Sequence, residues 1–249
     1  MTAATSHQQH RFPHIVMIAN RKGGVGKTML TVHLAWRAVE EGLSVLVLDC
    51  DPQGDAYRRL LGSDADMQAR PPTSFGEGGW VVCSPGVFDL PPFPRLYNYD
   101  LIVIDAPPSG RGLPEGPPVI ELLLPVDGLD AARNAVEVAE EALAERRAFA
   151  ATLVLNKADE GGWDHEDTIR AIEKHLPEGT TLAPRGIPHA EGIKRSELVA
   201  RPAWEEAGHG IAVRELRAFC TDYVMEIKRW RAWATMEAVL DAAQGARRA

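Results

Sequence analysis

Cysteine, aromatic residues and long apolar runs are all scarce in this 249-residue sequence. Three cysteines without paired spacing provide neither a disulfide framework nor a zinc site, so a reducing compartment such as the cytosol is expected. The apolar run at residues 15–19 is too short for a signal-peptide core or a membrane span. The net charge of −8 argues against nucleic-acid binding through overall charge, so any DNA contact requires a local basic patch.

The rest of the composition is that of an ordinary globular protein, with 45% apolar and 25% charged residues. A chain of this length can bury a substantial core without disulfides or metals. The first residues are polar and rich in His and Gln, which is typical of a loose terminus. We therefore expect a flexible tail over residues 1–13, a single domain over 14–243 and a second short tail over 244–249.

Short apolar runs alternate with helical patterns along the chain. Strands are predicted at residues 15–19, 45–48, 81–83, 101–104, 122–126 and 152–155. Helices are predicted at residues 28–41, 131–147, 165–176 and 213–240, and the Pro- and Gly-rich stretches 71–79 and 107–118 are predicted as loops. This order predicts an α/β fold, with a mostly parallel sheet flanked by helices on both faces and ligands at the carboxyl ends of the strands.

A glycine-rich turn lies between the first predicted strand and helix, with the sequence Arg21-Lys22-Gly23-Gly24-Val25-Gly26-Lys27-Thr28. Glycines let the backbone wrap closely, so that successive N–H groups point at phosphate oxygens, and the helix N-terminus adds partial positive charge. Lys27 can neutralise β and γ oxygens, and the Thr28 hydroxyl can ligate Mg²⁺. The turn departs from the usual P-loop pattern, because Arg21 replaces the first glycine and Lys22 stands beside it.

Three carboxylates follow predicted strands, at Asp49, Asp51 and Asp105. The spacing of two places Asp49 and Asp51 on the same side of their strand. Asp105 is the candidate for holding Mg²⁺, through a water molecule. For Asp49, capping of a helix or turn is the alternative reading.

These segments resemble the ParA/MinD family of deviant Walker A P-loop ATPases. The resemblance covers residues 15–224. Besides the glycine-rich turn, it is carried by Asp49-Cys50-Asp51-Pro52-Gln53-Gly54 after the second strand and by Asp105-Ala106-Pro107-Pro108-Ser109 after a later one. The Pro-Gln-Gly and Pro-Pro-Ser segments point to the ParA, or partition-protein, branch.

The resemblance implies a P-loop NTPase fold and slow, partner-stimulated hydrolysis of ATP with Mg²⁺ in a homodimer that encloses two ATP molecules. Lys22 then reaches the phosphates of the partner subunit, Asp51 orients or deprotonates the attacking water, and Asp49 supports the P-loop hydroxyl and the metal waters. The implied catalytic residues are Lys22, Lys27 and Asp51, and the implied metal site is Thr28, Asp49 and Asp105. The implied nucleotide contacts are Lys22, Gly23, Gly24, Val25, Gly26, Lys27, Thr28, Met29, Asn156 and Pro188.

Two of these nucleotide contacts rest on shorter motifs. Leu155-Asn156-Lys157 resembles the adenine-contact motif of the family, although Asn156 is equally suited to an ordinary turn. Gly186-Ile187-Pro188 resembles the loop that closes over the adenine.

The family also implies non-specific DNA binding by the ATP dimer, a stimulating partner of the ParB type, and a cytoplasmic, nucleoid-associated location. The DNA contacts would be Lys194, Arg195, Arg201, Arg214 and Arg217. Acidic residues are interspersed among them, so a solvated helix face is the competing interpretation. The cargo could be a plasmid, a chromosome or a protein assembly.

Two further classes are considered. A MinD-like, membrane-cycling regulator would use the basic and tryptophan-containing segment 228–233 as an anchor. Tyr223, Ile227 and Trp230, however, continue an apolar stripe expected to pack on the sheet, so membrane binding is disfavoured. A redox relative, such as the nitrogenase iron protein, would need two suitably placed cysteines for an intersubunit cluster. Cys83 follows a predicted strand and Cys220 lies within a predicted helix, so this class is disfavoured.

Overall fold

The computed structural model describes residues 12–62, 65, 72–85, 95–108, 113–156, 169–170, 172–189, 193, 200–206 and 210–246, with only the backbone described over 234–246. The strands are β1 (His14–Ile18), β2 (Val45–Asp49), β3 (Thr73–Phe75), β4 (Gly79–Cys83), β5 (Leu101–Asp105), β6 (Val119–Val126), β7 (Ala148–Leu155) and β8 (Thr180–Leu182). The helices are α1 (Lys27–Glu40), α2 (Asp55–Leu61), α3 (Leu129–Ala144), α4 (Ala203–Glu206) and α5 (Ile211–Ala246), with a 3₁₀ turn at Arg95–Asn98.

Among the described residues, eight strands form one sheet in the order β3-β4-β2-β5-β1-β6-β7-β8. Every pairing is parallel except that of β3 with β4. β1 lies between β5 and β6, and β2 lies on the other side of β5, so the carboxyl ends of these central strands meet at one edge. The predicted α/β fold with a mostly parallel sheet is confirmed.

Two apolar cores cover the two faces of the sheet. On one face, Val16 and Ile18 of β1 pack with apolar residues of α1, α2 and α5. On the other face, Ile15 and Met17 pack with the alanine-rich side of α3. All residues of β2 and β5 are buried, which explains why these strands are nearly continuous apolar runs rather than alternating ones.

The prediction of a loop at residues 71–79 is wrong. Residues 73–75 form β3, which turns back through Gly76 and Gly78, both at positive φ, and pairs antiparallel with β4. The Phe75 ring lies edge-on to Trp36 of α1, with 5.3 Å between ring centroids. Packing on α1 therefore decides the structure here, over the local turn composition.

Some element ends also differ from expectation. The predicted helix 131–147 ends at Ala144, and Arg146 takes a left-handed conformation (φ 55°) before β7 begins at Ala148. β7 is four residues longer than its apolar signal, because pairing with β6 extends the strand through a low-propensity Ala-rich segment. Of the predicted helix 165–176, residues 169–170 and 172–173 are helical, and much of the remainder lies outside the described residues.

Helix α5 packs along α1, and polar contacts fix its position. Arg37 Nε donates to Thr221 Oγ1 (2.8 Å), and Lys228 Nζ contacts Glu41 (3.0 Å). Of the apolar stripe predicted to pack on the sheet, Ile227 is buried, whereas Trp230 is 43% exposed. α5 continues to Ala246, three residues into the segment expected to be a tail.

Candidate functional site

The phosphate-binding candidate is the turn between β1 and α1. Gly24 and Gly26 take positive φ values of 74° and 100°, a conformation that strains any residue with a Cβ atom. Gly26 is the N-cap of α1, and among the described residues no side chain caps the first N–H groups of this helix. Unpaired N–H groups at a helix N-terminus attract anions, so the turn suits a phosphate group.

Lys27 lies over this turn. Its side chain is buried, and Nζ donates to the Lys22 carbonyl at 3.2 Å. Burial lowers the pKa of Lys27, against the opposing charges of Asp105 and Asp51. The ammonium group is thus held beside the loop backbone, where a bound phosphate would face it.

Thr28 and Asp105 lie in direct contact at the carboxyl end of β5. The Thr28 hydroxyl donates to one oxygen of Asp105 at 2.9 Å, and the Thr31 hydroxyl donates to the other at 3.1 Å. Asp105 is completely buried, and burial, aided by the nearby charge of Asp49, raises its pKa to about 7. A hydroxyl beside a carboxylate is a ligand set that Mg²⁺ accepts, and a bound cation would favour the ionised form.

Both oxygens of the Asp49 carboxylate accept hydrogen bonds from backbone N–H groups. One oxygen of Asp49 accepts the Tyr57 N–H (2.9 Å) in the first turn of α2, and the other accepts the Asp51 N–H (3.1 Å). A side chain that caps a helix or a turn makes contacts of this kind, as the alternative interpretation of Asp49 expected. The second contact also holds the Asp51 backbone against β2. Burial raises the pKa of Asp49 to about 6 despite these hydrogen bonds.

A cavity of about 400 Å³ opens beside the turn. Eight of the predicted site residues line it: Gly24, Gly26, Lys27, Thr28, Met29, Asp51, Asn156 and Pro188. Asp51 is half-buried, with one oxygen accepting the Gln53 N–H at 2.9 Å. The lining also includes residues that the sequence reasoning did not select, namely Gln53, Asp55, Arg59, Pro108, His189 and Ile193.

Asn156 contacts the P-loop itself. Its Nδ2 donates to the Val25 carbonyl at 2.7 Å, and its backbone bridges to Ile187. A Cβ atom on Gly26 would lie 2.1 Å from that Nδ2. Asn156 therefore holds the phosphate turn in place, and the sequence motif alone did not indicate this contact.

Lys22 forms an ion pair within its own chain. Its Nζ lies 2.9 Å from Asp127 Oδ1, and its side chain is 41% exposed. Its backbone N–H donates to Asn20 Oδ1 at 2.9 Å. Asp127 directly follows β6, and the carboxyl ends of the parallel strands lie at one edge of the sheet. A carboxylate at this position could therefore have been predicted to lie near the glycine-rich turn.

The residues predicted to contact DNA are only partly described. Lys194 and Arg195 lie outside the described residues. Arg201 lies 3.4 Å from Glu206, and Arg214 and Arg217 are exposed on α5. The Arg217 guanidinium stands over the Trp204 ring, 5.8 Å from its centroid. The ion pair of Arg201 is a contact expected of the competing reading, a solvated face.

The cysteines lie in different surroundings. Cys220 is buried in the α5 core and Cys50 in the opposite core, while Cys83 is half-buried at the end of β4. Over the part of the chain that the structure describes, no group of three or more His, Cys, Asp or Glu side chains is placed to hold a metal ion.

None of the described helices combines the length and the hydropathy of a membrane span.

Curated relatives match this chain over limited stretches. Protein IncC of Escherichia coli is 43% identical over 77 residues, which cover 30% of this chain and 21% of IncC. The chromosome-partitioning ATPase Soj of Thermus thermophilus is 32% identical over 114 residues, which cover 38% of this chain and 46% of Soj. The matches thus span less than half the length of these relatives.

Solved structures extend the likeness to most of the fold. The septum site-determining protein MinD of Pyrococcus horikoshii, solved with Mg-ADP, superposes with a TM-score of 0.62 at 18% identity, covering 84% of this chain and 95% of MinD. The family model of the CobQ/CobB/MinD/ParA nucleotide binding domain matches residues 16–203. The chain therefore belongs to this family, the ParA/MinD family of P-loop ATPases.

Proposed function

We propose that this protein is a ParA-like ATPase that dimerises around two Mg-ATP molecules, binds DNA without sequence preference in that state and uses hydrolysis to position a cargo. The observation that carries the proposal is the phosphate turn with Lys27 and the Thr28–Asp105 pair beside a 400 Å³ cavity that also exposes Asp51. A cavity of this volume is in the range that accommodates nucleotide-sized ligands.

ATP fits the residues present. The N–H groups at the start of α1 and the Lys27 ammonium would hold the phosphates, and Met29, Asn156 and Pro188, which also line the cavity, would contact the nucleoside. Mg²⁺ would bind at Thr28 and Asp105, where it would neutralise charge on the β and γ oxygens. MinD of P. horikoshii, which shares the fold, was solved with Mg-ADP, and this supports the assignment.

Asp51 is our candidate for orienting the attacking water. It lines the cavity, and Asp49 fixes its backbone through a 3.1 Å hydrogen bond. In this scheme Asp49 supports catalysis by positioning Asp51. We also propose that Asp49 helps to hold the water molecules bound to Mg²⁺. A carboxylate that accepts a hydrogen bond from water can position that water for in-line attack.

Lys22 changes partner in this scheme. In the single chain it pairs with Asp127, and in the ATP dimer it would leave Asp127 for the γ-phosphate held by the other subunit. The exposed part of the Lys22 side chain and the modest strength of a partly exposed ion pair favour such an exchange. A cation supplied across the interface would stabilise charge that develops on the transferred group, as an arginine finger does.

The experiment is light scattering of the purified chain with Mg-ATP or Mg-ADP, together with phosphate release. We expect the wild type to dimerise in ATP, Asp51→Ala to accumulate as a dimer that does not turn over, and Lys22→Ala to lose turnover. Lys174→Ala, an exposed lysine elsewhere in the chain, is the matched control and should behave as wild type. If all variants remain monomeric in ATP, the switch is refuted.

DNA binding rests on Arg201, Arg214 and Arg217, all exposed, and on the similarity to Soj, a chromosome-partitioning ATPase. Contacts of this kind weaken steeply with salt. A gel shift with ATP at increasing salt tests them, and a double Arg214→Ala, Arg217→Ala variant that retains wild-type affinity would exclude this surface. A ParB-like stimulating protein is part of the same proposal, and the cargo could be a plasmid, a chromosome or a protein assembly.

A MinD-like membrane cycle is the second candidate. Trp230 and Trp233 are 43% and 53% exposed on α5, and Arg229 is exposed beside them. Aromatic and basic side chains on one exposed helix segment suit a membrane interface. Liposome flotation with ATP separates the two candidates, because a DNA-binding ATPase would remain with the soluble fraction.

A further inference from the structure

A second cavity, of about 470 Å³, lies under α5. Its walls come from β6, β7, β8 and α5, together with His14, the first residue of β1. The phosphate turn follows the other end of β1, so the two cavities lie toward opposite ends of that strand. Among the described residues they share no lining residue, and the proposed function does not use this second cavity.

The carboxylate of Glu121 lines this cavity, and its side chain is 17% exposed. The Thr152 hydroxyl donates to one oxygen at 2.6 Å, and the Tyr223 hydroxyl donates to the other at 2.7 Å. His14 Nε2 stands 3.8 Å from the same carboxylate. Burial raises the pKa of Glu121, but the nearby His14 and the hydrogen bonds from Thr152 and Tyr223 outweigh it and hold that pKa below its ordinary value. The group is therefore an anion at neutral pH.

Aromatic rings line the same cavity as this anion. Phe219 and Tyr223 are stacked, with 6.3 Å between centroids, and both line the cavity. The His14 ring stands edge-on to Tyr223 and to Trp230, with 6.1 Å between centroids in each case. Trp230 is 43% exposed, so one wall of the cavity faces solvent and gives a ligand a way in.

The remaining charges favour a cation. Asp222 and Glu226 line the cavity from α5, and because Asp222 pairs with Arg185, the lining carboxylates that do not pair with that guanidinium are Glu121 and Glu226. The guanidinium of Arg185 also lines it, but that group is already held by Asp222 (2.9 Å) and Glu215 (3.0 Å). Aromatic faces attract organic cations, and a carboxylate in a partly desolvated pocket interacts with a cation more strongly than in water.

We propose that this cavity binds a small organic cation, an amine or amidine carried on a flat apolar body, with Glu121 as the counter-ion and Trp230, Phe219 and Tyr223 as the apolar walls. The cavity volume lies within the range of small-molecule sites, and its lining of apolar and aromatic groups around a few convergent polar atoms is typical of them. A ligand there would touch both the sheet and α5.

The test is isothermal titration of the 249-residue protein with benzamidine, and with benzamide as a neutral probe of the same shape. Binding of benzamidine but not of benzamide is expected. Glu121→Gln should weaken binding by about tenfold or more, and Glu145→Gln, an exposed glutamate at the end of α3, should not. Equal binding of both probes, or equal affinity of Glu121→Gln and wild type, would overturn the proposal.

Two further measurements guard against ambiguous results. If Glu121→Gln fails to fold, Trp230→Ala removes a partly exposed ring and should still weaken benzamidine binding, by a few-fold to about tenfold. Saturating Mg-ATP should leave benzamidine affinity unchanged if the ligand is at the second cavity. Competition by Mg-ATP would place benzamidine at the phosphate site and refute the assignment to the second cavity.

Discussion

The pH dependence of stability tests the packing around His33, a buried residue of α1, the helix that follows the phosphate turn. His33 is completely enclosed, and its Nδ1 is 2.7 Å from the Met29 carbonyl. Its Nε2 accepts the Ala203 N–H at 3.1 Å. One nitrogen must therefore carry hydrogen and the other must not, so the ring is neutral. Burial, the largest effect, and the charge of Arg59 lower its pKa from 6.5 to about 4, against the hydrogen bond to Met29.

The sign of the pH effect follows from that lowered pKa. Between pH 6.5 and 4 the unfolded chain binds a proton at His33 and the folded chain does not, so stability falls as the pH falls. With pKa values of 6.5 unfolded and about 4 folded, moving from pH 7.5 to 5.0 removes about 2 kcal/mol of unfolding free energy. Asp49 and Asp105, with raised pKa values, contribute in the opposite direction.

The assay is urea unfolding of wild type and His33→Gln at both pH values. The variant lacks the titrating ring, whereas the contributions of Asp49 and Asp105 are common to both proteins and cancel in the difference. We expect wild type to lose about 2 kcal/mol more than the variant. His175→Gln, at an exposed position, controls for the substitution itself. Equal losses in wild type and His33→Gln would refute the buried neutral imidazole.

Three further predictions concern the turn itself. Gly26→Ala should reduce Mg-ATP affinity at least about tenfold in calorimetry, because φ is 100° and the new Cβ would meet Asn156; wild-type affinity would contradict this. Asn156→Ala should lower the urea-unfolding free energy by about 1–3 kcal/mol, since the buried Val25 carbonyl loses its donor; unchanged stability would count against that contact. Asp127→Asn should tighten the ATP dimer up to about fivefold in sedimentation by releasing Lys22, and a weaker dimer would argue against partner exchange.

Much of the fold was predictable from the sequence, because the structural preferences of short segments agree with the places that these segments take in the fold. β2 and β5 are apolar throughout and buried throughout. α1 ends where Gly42 supplies the positive φ expected of a helix stop. The glycine pattern placed the phosphate turn between β1 and α1, where the structure has it. These signals come from residues within a few positions of one another.

The rest depends on contacts distant in sequence. Asp127 meets Lys22 across 105 residues, and Asn156 meets Val25 across 131. β3 forms because Phe75 packs on α1, although the surrounding residues favour a turn. The role of Asp49 could not be settled from its strand position either, because the Tyr57 N–H that it accepts belongs to α2, a helix that the sequence reasoning did not predict.

Arg21, which stands where the usual loop has glycine, connects the start of the phosphate turn to helix α3. Its guanidinium bonds Glu137 and Glu141 on the outer surface of α3. A displacement of α3 away from the turn would break both contacts of Arg21, the residue that precedes Lys22. A molecule that binds this surface of α3 would therefore meet the two glutamates that hold Arg21, without entering the cavity.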